Sequence, residues 1–246
     1  MMKSTKAMAI ALAVGLGFNG LANAAERTDE RSWKWSPLGI GLAAPIQLPF
    51  MDSDIYGIRI GGFFGYNADV YGLDMGLAEM CTGNFSGLQV SAVSWTDGDV
   101  YGVQCAALAN VSSGRVIALQ AGLNNVNWSG AGGLQVGGII NYNSDYAGLQ
   151  LAGIINWNEL QSYGLEIGLI NANQTEFNGC AIGGLVNYTG KFDGFGLGLI
   201  NAAYEARGCQ IGLINACDHM HGVQFGLINM ITESRLPIMV LANASF

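Results

Sequence analysis

The chain has 246 residues, enough for one sizeable domain or a single repeat array. Only 11% of them are charged while 50% are hydrophobic, Gly is found 37 times, and the formal net charge is −8, a balance that argues against nucleic acid as a partner. Beyond the first 25 residues no charge-free apolar run reaches the roughly 18–20 residues a membrane helix needs, because Gly and Asn interrupt each one.

Residues 1–24 combine a basic start (MMKSTK), a short apolar run (AMAIALAVGLGF) and the small-x-small site Ala22-Asn23-Ala24. That composition predicts a secretory signal peptide, and therefore an exported mature chain. The first Cys is Cys81, so no lipoprotein anchor is expected. Without Lys3 and Lys6 the remainder carries 8 basic and 18 acidic residues, a net charge of −10.

Residues 25–246 are expected to form a single all-β repeat domain of about 13–14 strands. From residue 57 onward a motif of about fifteen residues recurs; its marker position, two after the motif Gly, reads Arg59, Asp74, Gln89, Gln104, Gln120, Gln135, Gln150, Glu166, Ala181, Gly196, Gln210 and Gln224. The second half of the motif is as steady, in GIINY (138–142), GIINW (153–157), GLINA (168–172) and GLVNY (184–188), and short polar segments such as NSD and NQTE separate the copies. Each copy alternates in period two: Leu134, Val136, Gly138, Ile140 and Tyr142 on one side of 133–143, with Gln135, Gly137, Ile139 and Asn141 on the other.

This pattern fits two architectures. One is an up-and-down, outer-membrane-type β-barrel of about fourteen strands, with a Leu/Ile face toward lipid and a Gln/Asn face inward. The closing PIMVLANASF, which ends on Phe246, resembles the C-terminal strand of bacterial outer-membrane barrels that the assembly machinery reads. The alternative is a β-solenoid with coils of about fifteen residues, in which like residues stack on like. The barrel is the first expectation. Against it, the 14-residue copies displace Asn to the other face unless a bulge intervenes.

The tandem GLQxGLIN motif, the opening DIYGIRIGGFFGYNADVYGLDMGLAEM (54–80) and the closing LPIMVLANASF resemble a family of bacterial surface-repeat proteins. The resemblance spans about 40–246 and implies a surface location; it brings no catalytic residues with it.

Chemistry is sparse. Cys217, Asp218, His219 and His221 in CDHMH are the only candidate metal ligands, yet the segment reads first as a polar link between repeats. No glycine-flanked nucleophile accompanies the two His, and no helix follows GGFFG or GAGGLQVGG to make a phosphate loop, so neither an enzyme nor a cofactor is expected. Arg59 and Asp74 hold one position on consecutive strands and suit a cross-strand ion pair, while Glu166 sits in the Gln row. Tyr142, Trp157 and Tyr188 are placed for a membrane interface, as are Tyr56, Tyr71 and Tyr101. Cys105, Cys180 and Cys209 are read as small buried thiols. The expected function is a non-enzymatic outer-membrane structural or passive-channel protein, with outer-membrane lipid and the barrel-assembly machinery as partners. The alternative is a periplasmic, secreted or surface β-solenoid that acts as an adhesin or binding module for a surface ligand.

Overall fold

A computed structural model describes residues 35–44 and 46–246; the signal-peptide expectation at 1–24 lies outside the described residues. Every element is a β-strand. Strands pair in parallel and in motif register, so Gln150 lies beside Gln135 and Asn156 beside Asn141. This overturns the up-and-down barrel, whose neighbouring strands must run antiparallel, and establishes the alternative, a β-solenoid. Period-two alternation is common to both folds. What separates them is the direction of the neighbouring strand, which a strand's own side-chain pattern does not encode.

The chain divides into two compact units, one ending at Gly114 and one starting at Arg115. In the first, β1 (Trp35–Ala43) lies parallel to β3 (Asp54–Asn67) and antiparallel to the short β2 (Ile46–Leu48). Then β4 (Val70–Met75) and β5 (Ala78–Cys81) form one coil, stacked between β3 and β6 (Phe85–Thr96), and β7 (Val100–Ser112) pairs parallel with β6.

In the second unit, β8 (Val116–Asn127) pairs with β9 (Ala131–Asn143). The coil of β10 (Tyr146–Ala152) and β11 (Ile155–Asn158) lies between β9 and β12. The long β12 (Gln161–Ile211) winds through successive coils and pairs with β13 (Ile214–Ile231). Only β14 (Ile238–Ser245) reverses direction in this unit, running antiparallel to β13.

Each coil turns at three places, seen clearly in 146–162. The first is Gly148, at φ 143°. A Cβ there would lie 2.1 Å from the Gly133 carbonyl oxygen, so glycine answers both to the backbone angle and to the close approach of the coil below. The second is the bend at Gly153-Ile154, and the third is the polar bend at Glu159-Leu160. The second corner also breaks the strict alternation expected for 133–143: Gln135, Gly137 and Asn141 face inward, but Ile139 is 41% exposed. Because a corner absorbs either four or five intervening residues, Asn201, Asn215 and Asn229 of the 14-residue copies still point inward. A flat barrel strand would have needed a bulge for the same result.

Candidate functional site: an amide interior inside an apolar sheath

The interior is polar. In the second unit, Asn125, Asn141, Asn156, Asn171, Asn187, Asn201, Asn215 and Asn229 form a continuous ladder in which each Nδ2 donates to the next Oδ1 at 2.8–2.9 Å. The remaining N–H of most of these amides goes to a backbone carbonyl, as from Asn156 to Ile167 at 3.0 Å. The marker row runs the opposite way: Gln150 donates to Gln135, and Gln135 to Gln120. A third row, Asn127, Asn143 and Asn158, cross-links it by hydrogen bonds with the Gln amides, and Asn158 donates on to Asn173. These side chains are at most 5% exposed, and each amide must find its partners inside.

Glu166 occupies a Gln position. Burial pushes its carboxyl up to about 7, against the opposing pull of the Asn173 and Asn158 amides, which donate to it at 2.8 Å. Beyond it the marker row carries Ala181 and Gly196, and the volume is taken by Phe177 and Phe192, stacked at 6.1 Å within a cluster that includes Ala206, Met220 and Ile231. Gln210 and Gln224 resume the row, with Gln224 donating to Gln210.

In the first unit the same row holds charge. Arg59 meets Asp74 through two bonds of 2.6 Å, the expected cross-strand pair, and Gln104 donates to Gln89, which donates on to Asp74. Sequence reasoning missed a third member, Glu79, 3.1 Å from the Arg59 guanidinium. Its signal was legible: GLAE (76–79) aligns with GLIN, so Glu79 stands at the ladder position. It fits because Gly61, Gly65 and Gly76 surround it; a Cβ on any of them would fall within 2.1 Å of a carboxylate oxygen. Burial, reinforced by Asp74 and opposed by Arg59, pushes its carboxyl up to about 8. One guanidinium faces two buried carboxyls, so holding a proton on Glu79 keeps the cluster neutral.

The exterior inverts the usual order. In the second unit Ile139, Ile154, Leu169, Leu185, Leu199, Leu213 and Leu227, all at the second corner, are 41–57% exposed. They form a ridge stacked coil on coil, as the bonds from Ile154 N to Ile139 O and from Leu213 N to Leu199 O record. Most exposed charge collects at the third corner, while Asp193 and Arg207 stand one residue ahead of the first-corner glycines Gly194 and Gly208. Residues 116–144, 146–158 and 177–190 contain no Lys, Arg, Asp or Glu, whereas Asp145, Glu159, Glu176 and Lys191 lie in the links between coils. In the first unit Phe63, Leu77 and Leu108 are 67, 53 and 43% exposed, and Asp52, Asp54, Asp69, Asp97 and Asp99 take the links.

Aromatic side chains border the charged corner. Tyr163 donates to Gln161 at 3.1 Å, and Tyr142 donates to Glu159. Tyr142 is nonetheless buried, packed edge-on against Trp128, while Trp157 is partly exposed and Tyr188 is 51% exposed. In the first unit Tyr71 and Tyr101 donate to Asp69 and Asp99 at 3.4 Å, Trp95 donates to Asp97 at 2.7 Å, and Tyr56 stacks on Tyr71 at 4.9 Å. A shallow groove of about 650 Å³ opens above Gly132 and Ala147, between Ile117 and Tyr163.

The CDHMH residues are not brought together. Cys217 faces the interior, where burial raises its thiol to about 11, and its sulfur accepts a bond from Gln224. His219 is exposed and pairs with Glu233 at 3.1 Å, and His221 packs against the Phe246 ring. Phe246 itself is 89% exposed at the end of β14. All five Cys are free; Cys105, Cys180 and Cys209 are partly exposed rather than buried, because their positions fall on the outer wall.

No family model, curated protein or solved structure matches this chain.

Proposed function

We propose that this is an exported, non-catalytic structural protein of the outer membrane, held there by its apolar sheath. One observation carries the reading: the amides lie inside and the Leu/Ile ridges outside. Burying an amide without partners costs about 1–3 kcal/mol, so the ladders have a reason to be interior in any solvent. Exposed Leu and Ile rows stacked coil upon coil have a reason only where the surroundings are apolar. The signal-like start and the resemblance to surface-repeat proteins agree with this location. A structural role is favoured over a channel, because the interior side chains hydrogen-bond one another.

A second reading is a surface or secreted solenoid that binds a partner along one face, as an adhesin does. It is favoured by the solenoid fold, which repeats each outward residue along a flat row. The two separate on fractionation of expressing cells followed by alkaline-carbonate extraction. Retention in the outer-membrane pellet is the expected result; release into the wash, or recovery in the soluble fraction, refutes the membrane reading and favours the adhesin.

A further inference from the structure

The second unit has a definite up and down. Most of its solvent-facing acids and bases, Asp145, Glu159, Glu176, Lys191, Glu205 and Glu233 among them, fall at one corner of the coil, and the Leu/Ile ridge occupies another. Between the two, the walls carry the buried acid Glu166 and, one residue ahead of the first-corner glycines Gly194 and Gly208, the exposed pair of opposite charges Asp193 and Arg207. The exposed ring of Tyr163 stands where wall meets charge, its hydroxyl donating to Gln161 on the charged side. Tyr and Trp with their polar atoms at the wet boundary mark a bilayer interface. The wall from charged corner to ridge is short: β11 has 4 residues, and at ~3.3 Å per residue a side of four or five is roughly 15 Å long. That is half of a hydrocarbon core of ~30 Å, the depth of a single leaflet.

Resting on the membrane reading above, we infer that the second unit is monotopic: its ridge is sunk in one leaflet, its charged corner lies among the headgroups, and the coil stack runs along the membrane plane rather than across it. The occupant of the apolar walls is thus lipid acyl chain. Headgroup preference follows from charge. Outside Glu166 the unit has four basic and seven acidic residues, so zwitterionic lipid is accepted and anionic lipid repelled. The first unit, taken by itself, has the same segregation of charge from apolar wall and the same bordering Tyr and Trp.

The test uses the full chain, purified in neutral detergent and transferred to phosphatidylcholine vesicles, with Leu213→Asp and Leu227→Asp on the ridge and Gln161→Asp at the charged corner. Wild type floats with the vesicles, each ridge variant loses at least tenfold in partitioning, and Gln161→Asp matches wild type; phosphatidylglycerol vesicles bind no better. A measurement free of substitutions accompanies it. The tryptophans beside the charged corners, Trp157 among them, are quenched more by a nitroxide near the headgroup than by one near the chain end. Flotation with ridge and corner variants equally affected, or with deeper quenching, overturns the orientation and leaves the membrane reading standing. Failure of wild type to float, including lipid-independent self-association, overturns both.

Discussion

Replacing Glu79 by Gln tests the buried charge cluster of the first unit. The folded protein holds this carboxyl at about 8 against an ordinary 4.5, chiefly because the ionised form is desolvated. A carboxyl whose folded value is raised binds its proton more tightly in the native state. Its contribution is fully present below about pH 4.5 and is lost as pH rises through about 8. At 1.36 kcal/mol per unit, the loss across that window is roughly 5 kcal/mol. Gln carries the same shape without the titration and fits the niche between Gly61, Gly65 and Gly76. Denaturant unfolding in neutral detergent between pH 4 and 9 should give wild type a falling stability and Glu79→Gln a nearly flat one. The curves should meet near pH 4, and the variant should lead by several kcal/mol at pH 9. Parallel curves, or a wild type more stable than the variant at pH 9, would refute the reasoning, since Glu79 would then be ionised and content beside Arg59.

Three further outcomes are expected. Glu166→Gln should be neutral at pH 5 and stabilising by roughly 3 kcal/mol at pH 9, as its carboxyl sits at about 7; equal stability of the two proteins at pH 9 would count against it. Asn171→Ala leaves the Asn187 oxygen without its ladder donor and should cost about 3 kcal/mol by thermal or chemical unfolding. The double variant with Asn156→Ala should cost less than the two single losses combined, because the pair shares one bond. Gly148→Ala puts a Cβ 2.1 Å from the Gly133 oxygen at φ 143° and should prevent stable folding, whereas Gly196→Ala meets only contacts of 3.4 Å and should change stability by less than about 1 kcal/mol.

Much of this architecture was legible because the repeat is literal. The Asn row became a ladder residue for residue, the marker row did so on either side of Ala181 and Gly196, and Arg59 met Asp74 as their shared position required. Strand direction was not legible: Leu149-Gln150-Leu151 alternates in the same way whether its neighbour runs up or down. The corners were hidden for a related reason. Gly137-Gly138 reads as two more strand positions until a third dimension shows the chain turning there and putting Ile139 outside. Glu79 escaped notice because copies near it spell the motif loosely, although its place in the period was available. The Phe177–Phe192 stack lies four residues ahead of the marker row, on a row that reads Val, Ala, Tyr and Ser in neighbouring coils, so no single-letter signal announced that apolar rings would fill the gap left by Ala181 and Gly196.

A stack of identical parallel coils has a hazard built into it: its last rung looks like every other rung, and so invites another copy to continue the growth. The reversal at β14 removes that invitation. Asn229, last in the ladder, turns its Nδ2 to the backbone oxygens of Gly226 at 2.8 Å and Met239 at 3.5 Å, not to the side chain of a further Asn. A strand running the wrong way offers the next coil neither the register nor the amide it would need. In the vocabulary of polymerisation, β14 is a chain terminator carried within the monomer, and it separates a protein of fixed length from a fibre.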